Sequence, residues 1–235
     1  MAFIRNVISL KGIQHGQCVF NRNSASNEVV KIDLARTGNL LLAGATKQGK
    51  SHCLHNLVRQ IETLTTPPKL ILFDPKRCEF GRYKERYRVI EGLEDAKNVL
   101  FGELFDREIV CKRALSTRTD RSPIVIVIDE LLDLIFKHKS KAKNNCGDRL
   151  RYEAIIKILT LGPEYNIFTI ISSQSLDKDI LTKKILDNCQ TRLAFRTINA
   201  QDSRRILKKP GAEDLLGRVE AILYQEGKCR KIQCP

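Results

Sequence analysis

Short apolar runs alternate with amphipathic stretches along most of this chain. Each run has the length of a buried strand, and the runs cover residues 39–43, 69–74, 123–130, 167–174 and 191–196. Between them, apolar residues recur at helical spacing and predict helices over 52–63, 94–116 and 153–161. The run at 123–130 is β-branched from Ile124 to Ile128, which is typical of a central parallel strand buried on both faces. Strands that alternate with helices predict an α/β fold with a mostly parallel central sheet and helices on both faces.

The N-terminal part of the chain has a different pattern. Residues 3–33 favour short strands and turns rather than alternating strands and helices. We therefore predict a short β-rich lead-in over residues 1–36, packed on one α/β domain over residues 37–235.

Other features of the sequence argue against several classes of protein. No apolar run approaches the roughly 20 residues that a membrane-spanning helix needs, and the first six residues lack the apolar segment of a secretory signal. We therefore expect a cytoplasmic protein without direct membrane insertion. The eight cysteines include no C-x-x-C pair, which favours reduced thiols over a zinc site. A disulfide or shared ligand at Cys229 and Cys234 is the less favoured alternative.

A phosphate-binding loop follows the first predicted strand. Residues 44–51 read Gly-Ala-Thr-Lys-Gln-Gly-Lys-Ser and fit the pattern G-x-x-x-x-G-K-[ST]. Glycines let the backbone N–H groups face a polyphosphate, the lysine reaches the β and γ phosphates, and the serine hydroxyl binds Mg²⁺. Strand, loop and helix N-terminus together predict an ATP site. Its candidate residues are Gly44, Ala45, Thr46, Lys47, Gln48, Gly49, Lys50, Ser51 and His52.

Polar residues end the other predicted strands at the same edge of the sheet. Ligands of parallel α/β sheets bind outside the carboxyl ends of the strands. Asp129 and Glu130 follow the most apolar strand, so we assign Asp129 to Mg²⁺ and Glu130 to the attacking water as catalytic base. Gln174 ends the next strand, where an amide can sense the γ-phosphate; an ordinary polar strand end is the alternative.

The charge of the chain favours a polyanionic partner. The formal net charge is +14, which indicates nucleic acid as a partner, whereas a well-solvated surface is the alternative. The densest basic run covers residues 137–143, and a second cluster comprises Lys228, Arg230 and Lys231.

These segments together resemble the motor domain of the FtsK/SpoIIIE DNA translocases over nearly the whole chain. Residues 70–76 are similar to the family's D-P-K segment, and residues 124–134 to its V-D-E-x-x-D-L Walker B segment. Residues 170–175 stand where the family has A-T-Q-R. The most specific likeness is to the family's T-R-I-A-F, D-S-R, I-L and G-A-E-x-L-L-G segments, at residues 191–195, 202–204, 206–207 and 211–217.

The resemblance implies a RecA-like P-loop NTPase fold and a homo-oligomeric, hexameric ring. Such rings hydrolyse ATP at subunit interfaces and move double-stranded DNA through a central channel. By residue match, Lys50 and Ser51 would bind ATP and Mg²⁺, Asp129 and Glu130 would have the Walker B roles, and Gln174 would be the sensor. Arg204, in the D-S-R segment, is expected at the subunit junction.

The chain departs from the family pattern in three places. Residues 46–48 replace a smaller Gly/Ser-rich stretch, and residues 175–176 replace the usual R-P. Lys157 stands where the family has an arginine finger, and lysine lacks the planar guanidinium fork. Arg149 and Arg151 are the alternatives for that role.

The sequence leaves the biological role open. No winged-helix module is recognisable in these residues, and a bare motor of this size suits a mobile genetic element, serving conjugation, replication or packaging with an accessory protein of that process. One alternative is a coupling or secretion ATPase that delivers nucleoprotein to a membrane channel. Another is an assembly factor that hydrolyses ATP slowly and whose DNA binding is switched by ATP. Lys157 at the arginine-finger position suggests this alternative, because a lysine there would support slower hydrolysis.

Overall fold

The computed structural model describes residues 17–20, 30–64, 67–114, 122–136 and 146–234. The basic run at 137–143 and most of the predicted lead-in lie outside the described residues.

Helices and strands alternate through the described chain. The strands are β1 (Gln17–Phe20), β2 (Val30–Asp33), β3 (Leu40–Ala43), β4 (Lys69–Phe73), β5 (Arg88–Ile90), β6 (Ile124–Ile128), β7 (Ile167–Ser173), β8 (Thr191–Phe195), β9 (Glu220–Gln225) and β10 (Lys228–Gln233). The helices are α1 (Leu34–Thr37), α2 (Lys50–Glu62), α3 (Leu93–Ala114), α4 (Leu131–Ile135), α5 (Cys146–Leu161), α6 (Lys183–Asn188) and α7 (Ala200–Leu207).

The main sheet of the described residues has eight strands in the order β10-β9-β8-β3-β7-β6-β4-β5. The strands from β8 to β5 run parallel, whereas β9 and β10 form an antiparallel hairpin at the β8 edge. The carboxyl ends of β3, β4, β6, β7 and β8 therefore meet at one edge. That edge carries the phosphate loop and the acids after β6.

Helices cover both faces of the sheet because its central strands are apolar on both sides. Leu41 and Ala43 of β3 point into a core built with α3, α5, α6 and α7. Leu40 and Leu42 point into a second core built with α2. The predicted α/β fold, with a mostly parallel sheet between two layers of helices, is thus confirmed.

The five predicted strands are present with ends shifted by one or two residues. The helix expected over 153–161 begins earlier, at Cys146, and its first turns contain the buried pair Asp148 and Arg151. A mixed pair of charges gives no apolar periodicity, so this part of the helix was missed. Strands β5, β9 and β10 and helices α6 and α7 are additions to the prediction.

Strands β1 and β2 form a separate two-stranded antiparallel sheet. Val30 and Ile32 of β2 are buried in the same core as β3 and α2. The boundary at residue 36 remains a prediction. In the part of the chain that the structure describes, no helix is long and apolar enough to cross a membrane.

Candidate active site

The phosphate loop leaves β3 and enters α2 through two glycines that no other residue can replace without strain. Gly44 has φ 150°, and a Cβ there would lie 2.8 Å from the Phe195 Cβ atom. Gly49 has φ 102°, and a Cβ there would lie 2.7 Å from the Val219 Cγ1 atom. The glycines of the motif are therefore required by packing as well as by the turn itself.

Residues that directly follow β8 and directly precede β9 hold this loop through its backbone. The Ala45 N–H donates to the Arg196 carbonyl at 2.8 Å, and the Val219 N–H donates to the Gln48 carbonyl at 3.1 Å. Helix α2 begins directly after the loop with no side-chain cap and no acidic residue in its first turn. Its unpaired N–H groups and positive dipole end suit a phosphate anion.

Lys50 folds back onto the loop that carries it. Its side chain is buried, and Nζ donates to the carbonyls of Gly44 at 2.8 Å and Ala45 at 2.6 Å. Burial lowers the pKa of Lys50 to about 8, against the opposing effect of the Glu130 and Asp129 carboxylates. The negative charge of a polyphosphate would offset this cost, so the lysine is placed for anion binding.

The two acids after β6 are also buried. Asp129 is 5% exposed, and its N–H donates to the Phe73 carbonyl at 3.0 Å. Burial, with the nearby charges of Glu79 and Glu130, raises the pKa of Asp129 to about 7. A cation beside this carboxylate would offset that cost.

The chemistry of these groups fits Mg²⁺. A serine hydroxyl and a carboxylate are hard oxygen ligands, and Mg²⁺ is usually held by one or two carboxylates together with substrate phosphates. Among the described residues, no group of three or more His, Cys, Asp or Glu side chains is arranged as an independent metal site. Ser51 and Asp129 are therefore the candidate ligands, and they need the phosphates of the nucleotide to complete the coordination.

Glu130 is held by backbone geometry and by two neighbours. Its φ is 57°, a left-handed conformation that is uncommon for a residue with a side chain. Both carboxylate oxygens accept from the Gln174 N–H, at 3.3 and 3.2 Å, and the Lys76 Nζ lies 3.7 Å away. Burial raises the pKa of Glu130, and the Lys76 charge opposes that shift.

Gln174 connects the acids with the phosphate loop. Its side-chain Oε1 accepts from the Thr46 hydroxyl at 3.0 Å, while its backbone N–H contacts Glu130. After Gln174 the chain is tied to α7, because Arg205 donates to the Leu176 carbonyl. The phosphate loop is therefore connected to α7 through Gln174 and the residues that follow it.

Lys76 is a charged neighbour of the acids that is not among the site residues predicted from the sequence. Its Nζ lies 3.0 Å from the Asp133 carboxylate. Although burial lowers the pKa of Lys76, the hydrogen bond that it donates to Asp133 and the charge of Glu130 raise that pKa above its ordinary value. The signal that could have found it is the position of Asp74-Pro75-Lys76 at the carboxyl end of a strand beside the Walker B strand.

The candidate arginine-finger residues lie on the other face of the sheet from α2. Lys157 is exposed on α5, with its Nζ 5.6 Å from the centre of the Phe101 ring. Arg151 is buried and bonded to Asp148 and to the Ile135 carbonyl, so it has a structural role. Arg149 is exposed and pairs with Glu153 at 2.9 Å.

Arg204 and the remaining nucleotide-site candidates are placed as follows. Arg204 is exposed on α7, and its neighbour Ser203 holds the following loop by donating to the Lys209 carbonyl at 3.0 Å. Lys47, in a left-handed conformation, and His52, in the first turn of α2, are both exposed beside the phosphate loop. The assignments of all these residues remain predictions.

Comparisons with known proteins show what the chain is similar to. The model of the FtsK/SpoIIIE family matches residues 14–101. The DNA translocase FtsK of Oceanobacillus iheyensis is 30% identical over 234 residues, which cover 87% of this chain and 29% of that protein. This chain therefore spans less than a third of that relative's length.

Two solved structures share the fold. The pCW3 conjugation coupling protein TcpA, in a monomer form with ATPγS, has a TM-score of 0.81 at 22% identity, covering 93% of this chain and 65% of that one. The cytoplasmic domain of the type VII secretion ATPase EccC of Thermomonospora curvata has a TM-score of 0.79 at 20% identity, covering 93% of this chain and 28% of that one. By sequence the chain is thus similar to the FtsK/SpoIIIE family, and by structure it has the RecA-like α/β fold of P-loop ATPases.

Proposed function

We propose that this chain hydrolyses ATP with Mg²⁺ and uses the energy to move double-stranded DNA. The proposal rests on one observation: the phosphate loop, the two acids after β6 and Gln174 lie together at one edge of the sheet. Thr46, Gln174 and Glu130 are linked by hydrogen bonds, and Lys50 lies within the electrostatic reach of both acids. DNA as substrate is supported by the similarity to DNA translocases and by the net charge of +14.

Each residue of the site has a separate proposed role in the transfer of the γ-phosphoryl group to water. The loop N–H groups and Lys50 would bind the phosphates, and Ser51 and Asp129 would hold Mg²⁺. Bound Mg²⁺ would neutralise the charge that develops on the phosphate oxygens. Glu130 would accept a proton from the attacking water, and Gln174 would report the state of the γ-phosphate to Thr46 and to the loop before α7.

Assembly into a homo-oligomeric ring, a hexamer by family resemblance, is part of the proposal. Lys157 and Arg204 are exposed on helices that pack on the opposite face of the sheet from α2. A residue so placed would act on the nucleotide of a neighbouring subunit rather than on its own. We propose that role for Lys157 or Arg149 at the catalytic step and for Arg204 at the junction.

A triplex-displacement assay tests the movement of DNA. Wild-type protein at low salt should displace a third strand from linear duplex in the presence of ATP and Mg²⁺. Glu130→Gln should bind the duplex and displace nothing, whereas Glu226→Gln, which alters an exposed ion pair with Arg36, should behave as wild type. Equal displacement by wild type and Glu130→Gln would reject the assigned role of Glu130.

A coupling ATPase is the second candidate, and the likeness to the conjugation coupling protein TcpA favours it. In that case a mobile element's transfer apparatus would be the partner, and DNA would be delivered rather than pumped freely. Duplex-stimulated hydrolysis without strand displacement, restored by a membrane partner, would support this candidate. ATP binding with negligible turnover on any DNA would instead support a switched assembly factor.

A further inference from the structure

Sheet pairing brings the segment after β4 directly beside the acids after β6. The two strands are parallel neighbours, with Phe73 opposite Ile128. The Asp129 N–H donates to the Phe73 carbonyl at 3.0 Å, so the pairing continues to the last residue before the turn. Residues 74–76 therefore start from a fixed point next to Glu130.

The turn after β4 is held in one conformation. Asp74 is fully buried, and its carboxylate accepts the N–H groups of Cys78, Glu79 and Phe80 at 3.2, 3.0 and 2.8 Å. Pro75 fixes its own φ. A carboxylate with three N–H donors needs no further partner, so Asp74 organises the loop and presents Lys76 from a rigid base.

Lys76 reaches two carboxylates on the neighbouring segment. Its Nζ lies 3.0 Å from Asp133 Oδ2 and 3.7 Å from Glu130 Oε2. The Glu130 side chain is almost fully buried, and that of Asp133 is one-fifth exposed. The shorter ion pair holds the ammonium group in place, and the longer one directs its charge at Glu130.

The Glu130 carboxylate thus has several sources of positive polarity, including the Leu132 N–H and the charge of Lys50. The Gln174 N–H contacts both of its oxygens, and Lys76 lies beside one of them. The backbone of Glu130 is already in an uncommon conformation, which aims the side chain. Without Lys76, the buried carboxylate would lose its ion-pair partner on the neighbouring segment and would depend on backbone N–H groups to keep the position at which water is activated.

We propose that Lys76 is a positioning residue for hydrolysis, holding Glu130 in place with Asp133 as its anchor. This inference rests on the proposed ATPase function. Lys76 acts through Glu130 and need not touch the nucleotide. Its removal should therefore lower kcat and leave nucleotide affinity nearly unchanged.

Steady-state hydrolysis and binding of a fluorescent ATP analogue, each measured for a set of variants, test the inference. Lys76→Met should lower kcat by about 10- to 100-fold, the range expected for a misplaced catalytic group. The dissociation constant should stay within about twofold of wild type, because the phosphate loop is untouched. Lys76→Arg keeps a cation in reach of both carboxylates and should recover most of the loss.

Three further variants separate positioning from a general effect. Lys69→Met removes a lysine of the same β4 segment that pairs with Glu103 at 2.6 Å, away from the acids, and should match wild type. Asp133→Asn should lower kcat by less than Lys76→Met. In a Glu130→Gln background, Lys76→Met should cause no further loss, since the group it positions is gone.

The possible results distinguish failure of the positioning role of Lys76 from failure of the proposed ATPase function. A wild-type kcat for Lys76→Met, or an equal loss in Lys76→Met and Lys76→Arg, overturns the positioning role while the ATPase proposal stands. A loss that appears wholly in nucleotide affinity also overturns it. If Lys76→Met does not fold, Lys76→Arg and Asp133→Asn decide by the same comparison. Absence of hydrolysis by wild type and Lys69→Met rejects the proposed function and this inference with it.

Discussion

Gly49→Ala is the substitution whose cost the structure defines most completely. Gly49 joins the phosphate loop to α2 at φ 102°, and the added Cβ would lie 2.7 Å from Val219 Cγ1 and 3.0 Å from the Val219 Cα and N atoms. Val219 cannot easily move away from the added Cβ atom, because its backbone is already constrained. Its N–H donates to the Gln48 carbonyl at 3.1 Å, its carbonyl accepts from Cys234 at 2.8 Å, and its own φ is already 62°.

Two contributions set the magnitude. A left-handed conformation costs a residue with a side chain about 1–2 kcal/mol, and overpacking of a close contact costs about 1–3 kcal/mol. Together they lower the free energy of unfolding by about 2–5 kcal/mol. For a chain of this size that corresponds to a fall in Tm of roughly 4–20 °C.

Two other glycines separate the contributions in a denaturant titration. A Cβ at Gly81 meets nothing within 4 Å and its backbone is unstrained, so Gly81→Ala should be nearly neutral. Gly227 has φ 77° and nothing within 4 Å, so Gly227→Ala should show the backbone cost alone. The expected order of destabilisation is Gly49→Ala, then Gly227→Ala, then Gly81→Ala. Equal stability of the Gly49 and Gly81 variants, with unchanged nucleotide affinity, would show that neither the backbone conformation nor Val219 constrains position 49.

Three further predictions concern other parts of the fold and site. Arg192→Leu removes a buried guanidinium that donates to three backbone carbonyls at 2.6–2.8 Å. The free energy of unfolding, measured by urea titration, should fall by about 3 kcal/mol or more, and a fall of less than about 1 kcal/mol would contradict this. The pKa of Asp129 is raised from 3.8 to about 7 in the folded protein. Between pH 3.8 and about 7 the folded state therefore binds a proton that the unfolded state has lost, so the free energy of unfolding of the wild type falls as pH rises through this range. Asp129→Asn should remove this dependence of stability on pH, and its gain in stability over wild type should be largest above pH 7. If the stability of wild type and variant changes with pH in parallel, the buried Asp129 carboxylate is not the cause of the pH dependence. Thr46→Val removes the 3.0 Å link to Gln174 and should lower ATP turnover severalfold while stability changes by less than about 0.5 kcal/mol; unchanged turnover would show that the link is dispensable.

The parts of the fold that sequence predicts are those with one dominant signal. The β-branched run of β6 is compatible with little except a central strand, and all five of its residues are buried. The phosphate loop is equally restrictive, because its glycines satisfy both a turn and two close contacts. Sheet order then places the loop and the acids together, since ligands of such sheets bind at the carboxyl edge.

The parts that sequence reasoning missed depend on partners far away in the chain. The hairpin of β9 and β10 alternates irregularly between exposed and buried residues, because one of its strands lies at the sheet edge. The start of α5 is hidden because Arg151 is buried by pairing with Asp148 rather than by apolar character. Lys76 looks like an ordinary turn residue until the pairing of β4 with β6 brings it to Glu130.

Steady-state ATP hydrolysis at low salt, with and without linear duplex DNA, tests most directly whether this chain is a DNA motor; wild type and Lys50→Ala are compared. Low salt matters because contacts with DNA phosphates weaken steeply as ionic strength rises. We predict that duplex DNA stimulates hydrolysis by the wild type and that hydrolysis disappears in Lys50→Ala, which lacks the buried cation of the phosphate loop. Hydrolysis that is indifferent to DNA, or that survives in Lys50→Ala, would contradict a DNA motor driven from this site.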